Sequence, residues 1–174
     1  MYKMSAKPMI TAAKIQDRVQ EIATEINRTF DFDIILSTLT GAFMFTTDLV
    51  RFMANAKHRI TFIKATSYGS GTESSGVLKV SGIDDIDIKG KRILLVDDIL
   101  DTGKTMSTLT HMLKEAGAVD IRTCVLMNKE ARRTVDFHAD YVGFEIENQF
   151  VVGYGLDYDQ DYRTLPDIWT LEET

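Results

Sequence analysis

The order of apolar and polar residues divides the chain into helical and extended segments. Ile15, Val19, Ile22 and Ile26 fall at i, i+4, i+7 and i+11, one stripe of an amphipathic helix. Asp33-Ile34-Ile35-Leu36 then reads as a short buried strand, and Thr40-Gly41 turns the chain into a second helix with Phe45, Leu49 and Phe52 at helical spacing. Ile60 and Phe62 alternate with polar residues, which predicts another strand. The segment RILLV (92–96) carries a continuous apolar run typical of a central parallel strand and ends in Asp97-Asp98. A third helix bears Met106, Leu109 and Leu113, with Gly117 as its stop. Residues 121–127 and 141–146 read as further strands. Strands alternating with helices predict an α/β fold around a mostly parallel twisted sheet. Such sheets bind ligands beyond the carboxyl ends of their strands, so the loops after Leu36, Val96 and Met127 are the places to look.

Between these elements, Ser67–Gly76 reads SYGSGTESSG, and seven of its ten residues are Gly or Ser, so no packed structure is expected there. The 174 residues fit one domain, 1–174, because both prolines lie near the ends (Pro8, Pro166) and no repeat or charge block marks a boundary. Lys and Arg number 20 against 26 Asp and Glu, a net charge of -6. That balance disfavours a general electrostatic grip on nucleic acid or on anionic lipid. No apolar run approaches a membrane span, and the first residues lack the apolar stretch of a signal peptide. A lone cysteine, Cys124, excludes an internal disulfide and suits a reducing compartment, so a cytoplasmic location is expected. His58, His111 and His138 share no cluster and receive no catalytic or metal role.

The chemistry concentrates in Ile93-Leu94-Leu95-Val96-Asp97-Asp98-Ile99-Leu100-Asp101-Thr102-Gly103-Lys104-Thr105. A buried strand delivers two adjacent carboxylates, a third follows at Asp101, and Thr-Gly-Lys-Thr opens a helix. Backbone N–H groups at a helix start, two hydroxyls and a flexible Gly make a nest for a phosphate. Carboxylates beside such a nest make sense if they hold sugar hydroxyls or Mg²⁺, which favours oxygen ligands. A phosphorylated sugar is the ligand implied. A triphosphate-binding P-loop would need Gly where this chain has Asp98. A phosphorelay receiver would carry its acid pair near the N-terminus and a phosphoacceptor Asp on a later strand; here the later strands run into Asn128-Lys129 and Glu147-Asn148.

An apolar strand, two acids, two apolar residues and Asp-Thr-Gly-Lys-Thr resemble the phosphoribosyltransferase signature. Leu39-Thr40-Gly41, Ser67-Tyr68, Lys129, VGFEI (142–146) and FVVGYGLDY (150–158) through Tyr162-Arg163 are similar, in order, to the hypoxanthine-guanine, purine-salvage branch of that family. The resemblance implies a small hood over the sheet, a flexible lid and transfer of ribose 5-phosphate from 5-phosphoribosyl-1-pyrophosphate (PRPP) to an oxopurine. It implies Mg²⁺ as cofactor and a homodimer or homotetramer, with no nucleic-acid or membrane partner.

The same resemblance implies the roles of single residues. Asp101 is the proton partner of the purine and heads the 5′-phosphate loop of Thr102, Gly103, Lys104 and Thr105. Asp97 and Asp98 engage the ribose hydroxyls, directly or through Mg²⁺. Leu39, Thr40, Gly41 and Arg163 meet pyrophosphate. Lys129 reads the 6-oxo group, Phe150 stacks on the base, Val151 contacts its edge, and Asp157 serves the purine end and a second Mg²⁺. Ser67 and Tyr68 lead the lid. Taken singly, Asp101 also fits a helix cap, Lys129 a surface charge and Phe150 a core aromatic. A xanthine-preferring enzyme and a non-catalytic PRPP- or nucleotide-sensing protein of the same fold are the alternatives.

Two features depart from the family pattern. Asp-Asp at 97–98 replaces the usual Glu-Asp, which shortens the first side chain by one methylene. Thr40 stands where the family usually has Lys or Arg. Thr40→Lys is therefore expected to tighten inhibition by pyrophosphate, and an unchanged inhibition constant would remove that side chain from the pyrophosphate loop.

Overall fold

The computed structural model describes residues 2–67 and 78–173. The first helix, α1 (Ala12–Thr29), starts where the Thr11 side chain accepts the Lys14 N–H at 3.3 Å, an N-cap. Its predicted stripe of Ile15, Val19, Ile22 and Ile26 is fully buried, with Ala23 beside it. A short strand, β1 (Tyr2–Met4), precedes it. After it come β2 (Ile34–Leu39), α2 (Phe43–Val50), β3 (Arg59–Ser67), β4 (Leu78–Ser81) and β5 (Arg92–Leu100). Then follow α3 (Lys104–Glu115), β6 (Asp120–Asn128), a 3-10 turn over Glu130–Arg132, β7 (Tyr141–Glu145), β8 (Phe150–Val152) and β9 (Trp169–Glu173).

Six strands form the central sheet in the order β4-β3-β2-β5-β6-β7. Every neighbouring pair is parallel except β3–β4, an antiparallel edge. Strand alternation sends successive residues of β5 to opposite faces. Leu94 and Val96 join α1, Phe45 and Leu49 of α2, Cys124 and Leu126 in one cluster. Ile93 and Leu95 join Leu36, Val125 and the α3 residues Met106, Leu109 and Leu113 in the other. The central strand is thus apolar on both faces because each face carries its own helical layer. Helix α3 ends as predicted at Gly117, at φ +92°, with Ala118 N–H returning to Leu113 O at 3.0 Å.

A second sheet, β1-β9-β8, is antiparallel throughout. It is the hood that the family resemblance implies, and its strands are too short and too far apart in sequence to be read from periodicity.

The strand expected around Ile60 and Phe62 is β3, with Ile63 facing the core and Ile60, on the opposite face with Phe62, 48% exposed. Two expectations need correction. Helix α2 stops at Val50, so Phe52 lies past its end and is exposed. Strand β5 does not end at the acid pair but runs through it to Leu100, because its ladder with β6 continues to Leu100↔Asn128. Of the Gly/Ser-rich segment, Ser67 closes β3 opposite Leu78. Tyr68 and the remaining lid residues lie outside the described residues.

Leu109 is fully buried between α3 and the sheet. Leu109→Ala should cost about 2–5 kcal/mol of stability, measured by equilibrium urea unfolding.

Candidate active site

Strand β2 accompanies β5 only to Ser37↔Val96, whereas β6 stays paired with it to Leu100↔Asn128. Where β2 departs, a cavity of about 260 Å³ opens, lined by Asp97, Asp98, Asp101, Thr102, Gly103 and Thr105 among others. Asp97 is buried, and its Oδ1 accepts from Thr38 Oγ1 and from the Asp98 N–H at 2.9 Å. Asp98 Oδ1 accepts the Ile99 N–H at 2.7 Å. Burial and then the Asp98 charge push the Asp97 carboxyl well above the usual range. Burial raises Asp98 as well, although hydrogen bonds to its carboxylate oppose the shift.

The loop after β2 closes this cavity. Leu39 and Gly41 line it, and the Leu39–Thr40 peptide is cis. A Cβ at Gly41 would stand 1.8 Å from Asp98 Oδ2, so only glycine lets the loop lie against the carboxylate. At the opposite wall Gly103 caps α3 at φ +86°, and a Cβ there would meet Arg133 Cδ at 2.9 Å. The helix start brings N–H groups without intrahelical partners to the cavity.

A second cavity, about 370 Å³, lies beyond Asp101 and brings together Lys129, Phe150, Val151 and Asp157. Lys129 is buried, its N–H donating to Leu100 O at 2.9 Å, and burial lowers the affinity of its amine for a proton. A buried ammonium needs an acceptor, which a carbonyl oxygen would supply. Phe150 is 46% exposed, in edge contact with Tyr158 at 5.7 Å between centroids, and so is not a core aromatic. Val151 is buried in the ladder with β9, opposite Thr170.

Asp157 forms an ion pair with Arg163 Nη2 at 2.9 Å and accepts the Gln160 N–H at 2.9 Å. Arg163 also donates to Gly155 O at 2.8 Å. Thr40, Lys104 and Arg163 lie outside the described lining of both cavities. Asp101 and Ile99 belong to both linings.

Two contacting residues carry no sequence signal. Thr38 reaches Asp97 across 59 positions, and Arg132 Nε donates to Asp101 Oδ1 at 2.6 Å across 31. Pairing at such separations is invisible to local periodicity. Among the described residues no three His, Cys, Asp or Glu side chains gather as a metal cluster. The acid pair and Asp157 line different cavities.

A mostly parallel sheet ending in paired carboxylates, with a glycine-opened turn into a helix directly after the same strand, is the arrangement of a phosphoribosyltransferase. The chain belongs to that family: the model of the phosphoribosyl transferase domain matches residues 9–159. Within it, similar proteins carry the names of hypoxanthine and hypoxanthine-guanine phosphoribosyltransferases. The chain is 41% identical over 170 residues to the hypoxanthine-guanine phosphoribosyltransferase of Aquifex aeolicus, covering 96% of this chain and 95% of that one. It is 35% identical over 174 residues to the bifunctional protein TilS/HprT of Listeria monocytogenes, covering 99% of this chain and 27% of that one. The solved structure of a hypoxanthine-guanine phosphoribosyltransferase from Bacillus anthracis superposes with a TM-score of 0.89 at 36% identity, over 97% of this chain and 99% of that one.

The raised carboxyls have a consequence for stability. The folded protein holds a proton on Asp97 more tightly than the unfolded chain does, so keeping Asp97 acidic costs stability as pH rises above the usual carboxylate range. The penalty is relieved as pH falls through the raised value. Asp97→Asn removes the charge and keeps the acceptor. It is expected to raise Tm at neutral pH, with the gain shrinking as pH approaches the usual carboxylate range, measured by scanning calorimetry.

Proposed function

We propose that residues 1–174 act as one hypoxanthine (guanine) phosphoribosyltransferase domain of purine salvage, taking PRPP and an oxopurine to a nucleoside monophosphate and pyrophosphate. One observation carries the reading: Asp101 lines both the phosphate-loop cavity and the cavity with Lys129 and Phe150. A carboxylate at that junction faces the place where sugar and base must meet.

In this reading the 5′-phosphate rests on Thr102, Gly103, Lys104 and Thr105, and the ribose hydroxyls face Asp97 and Asp98. Pyrophosphate lies along Leu39, Thr40 and Gly41, with Arg163 as its cation. The purine stacks on Phe150, meets the Val151 backbone and Asp157 at its edge, and offers its 6-oxo group to Lys129. The base nitrogen bonds to the anomeric carbon while the bond to pyrophosphate breaks, and pyrophosphate leaves with the electron pair. The sugar passes through an oxocarbenium-like state, and the proton displaced from the base goes to Asp101. Ser67 and Tyr68 would head the lid that excludes water.

Mg²⁺ suits this donor set of hard carboxylate oxygens. Without a three-carboxylate cage among the described residues, it would be held by one or two of Asp97, Asp98 and Asp157 together with substrate oxygens. When bound, it neutralises diphosphate charge.

A homodimer or homotetramer is supported by apolar surface on one face: Phe43 is 44% exposed and Ile60 48%, with Phe43 in ring contact with Phe62 at 6.4 Å. A cytoplasmic location is supported by the unpaired Cys124. No described helix is long and apolar enough to cross a membrane.

Nucleotide formation from PRPP and Mg²⁺ is to be measured with hypoxanthine, guanine, xanthine and adenine offered separately. Turnover of 6-oxopurines but not adenine is expected, with the strongest on hypoxanthine or guanine. Preference for xanthine would replace the substrate assignment. Absence of turnover with PRPP still bound would replace the enzyme with a PRPP-sensing protein. Asp101→Asn should lower kcat by roughly 10²–10⁴-fold while leaving PRPP affinity largely intact, and an unchanged kcat would overturn the general-base role.

A further inference from the structure

The contact between Arg132 and Asp101 is unused by this mechanism, yet the chain builds it from several sides. Strands β5 and β6 end in register at Leu100↔Asn128, and the Lys129 N–H donates to Leu100 O at 2.9 Å. Asp101 and the turn at 130–132 therefore leave adjacent strand ends side by side. The turn is closed by Arg132 N–H on Lys129 O and by Arg133 N–H on Glu130 O, both at 3.1 Å. Its far side is fixed by the Arg133 guanidinium, 9% exposed, which donates to Asn128 Oδ1 and, at 3.2 Å, to Phe137 O. The Thr134 N–H then donates to Thr102 O at 3.0 Å, tying the segment to the phosphate loop directly after Asp101. From this braced turn Arg132 Nε donates to Asp101 Oδ1 at 2.6 Å.

We propose that Arg132 is a positioning residue that holds one oxygen of Asp101 and leaves the other to face the base. The inference rests on the reading of Asp101 as the proton acceptor. Among the described residues, no hydrogen bond reaches Asp101 Oδ2. The two side chains are 46% and 40% exposed, so the pair adds little to stability, as is usual for half-exposed ion pairs. Orientation is what it supplies. A carboxylate on a short side chain rotates about two bonds, and pinning one oxygen fixes both. Arg132 also lines the cavity with Lys129 and Phe150, so its guanidinium lies on the base side of Asp101 and not on the phosphate side.

The test compares wild type, Arg132→Ala, Arg132→Lys, Asp101→Asn and the Arg132→Ala/Asp101→Asn double variant, with hypoxanthine, PRPP and Mg²⁺. Arg132→Ala should lower kcat between roughly 10- and 100-fold, the scale of a misplaced catalytic group. KM for PRPP and Tm should stay at wild-type values, and Arg132→Lys should recover part of the loss. In the Asp101→Asn background, Arg132→Ala should cost nothing further, since a positioning residue acts only through its target. An equal fractional loss in both backgrounds, a loss that follows Tm, or no loss at all would overturn the inference and leave the enzyme assignment standing. A wild type inactive with every 6-oxopurine would bring down both.

Discussion

Past Val96, strand β5 keeps the ladder on its β6 side and loses the one on its β2 side. Everything in the site depends on that asymmetry. The surviving ladder satisfies enough of the backbone to carry Asp97, Asp98, Ile99 and Leu100 onward as a strand. The missing ladder leaves a gap that the loop at Leu39–Gly41 lines without filling. Polar side chains can occupy the centre of the sheet only because a neighbouring strand has turned away.

The electrostatics follow from that position. Two adjacent carboxylates at the edge of an apolar core lose water and repel each other, so both carboxyls are pushed above the usual range. The nearest relief comes from groups that donate to them: Thr38 Oγ1, the N–H of Asp98 and the N–H of Ile99. A sugar presenting hydroxyl donors would continue the same pattern. On the other side of Asp101 the imbalance has the opposite sign, since Lys129 is a buried cation that calls for an acceptor. The two cavities thus call for different chemistry, donors beside the acid pair and an acceptor beside Lys129.

How much of this the sequence disclosed depended on whether a feature was local. Helix α1 was legible because four isoleucines and valines repeat at helical spacing and all four are buried. Strand β5 was legible up to Val96, where its apolar run stops; its continuation rests on pairing with β6, which leaves no trace in hydropathy. Phe52 satisfied its periodicity and still faces outward, because α2 ends at Val50. Most described residues read from the family signature line one of two cavities, while Thr40, Ser67, Lys104 and Arg163 lie outside both linings. Thr38 and Arg132 were silent, since each matters only through a partner brought close by the sheet.

The order in which these parts occur along the chain gives the two cavities different histories. The lining of the cavity at Asp97 and Gly103 spans Thr38 to Met106, on strands that pair within the central sheet. The cavity at Lys129 and Phe150 leans on β8, whose ladder is completed by β9 at residues 169–173, and β9 in turn pairs with β1 at residues 2–4. During synthesis from the N-terminus, the residues lining the first cavity are all made before β9, on which the ladder of β8 depends. The wall at Phe150 and Val151 is therefore completed by the last strand of the chain, which closes only against the first.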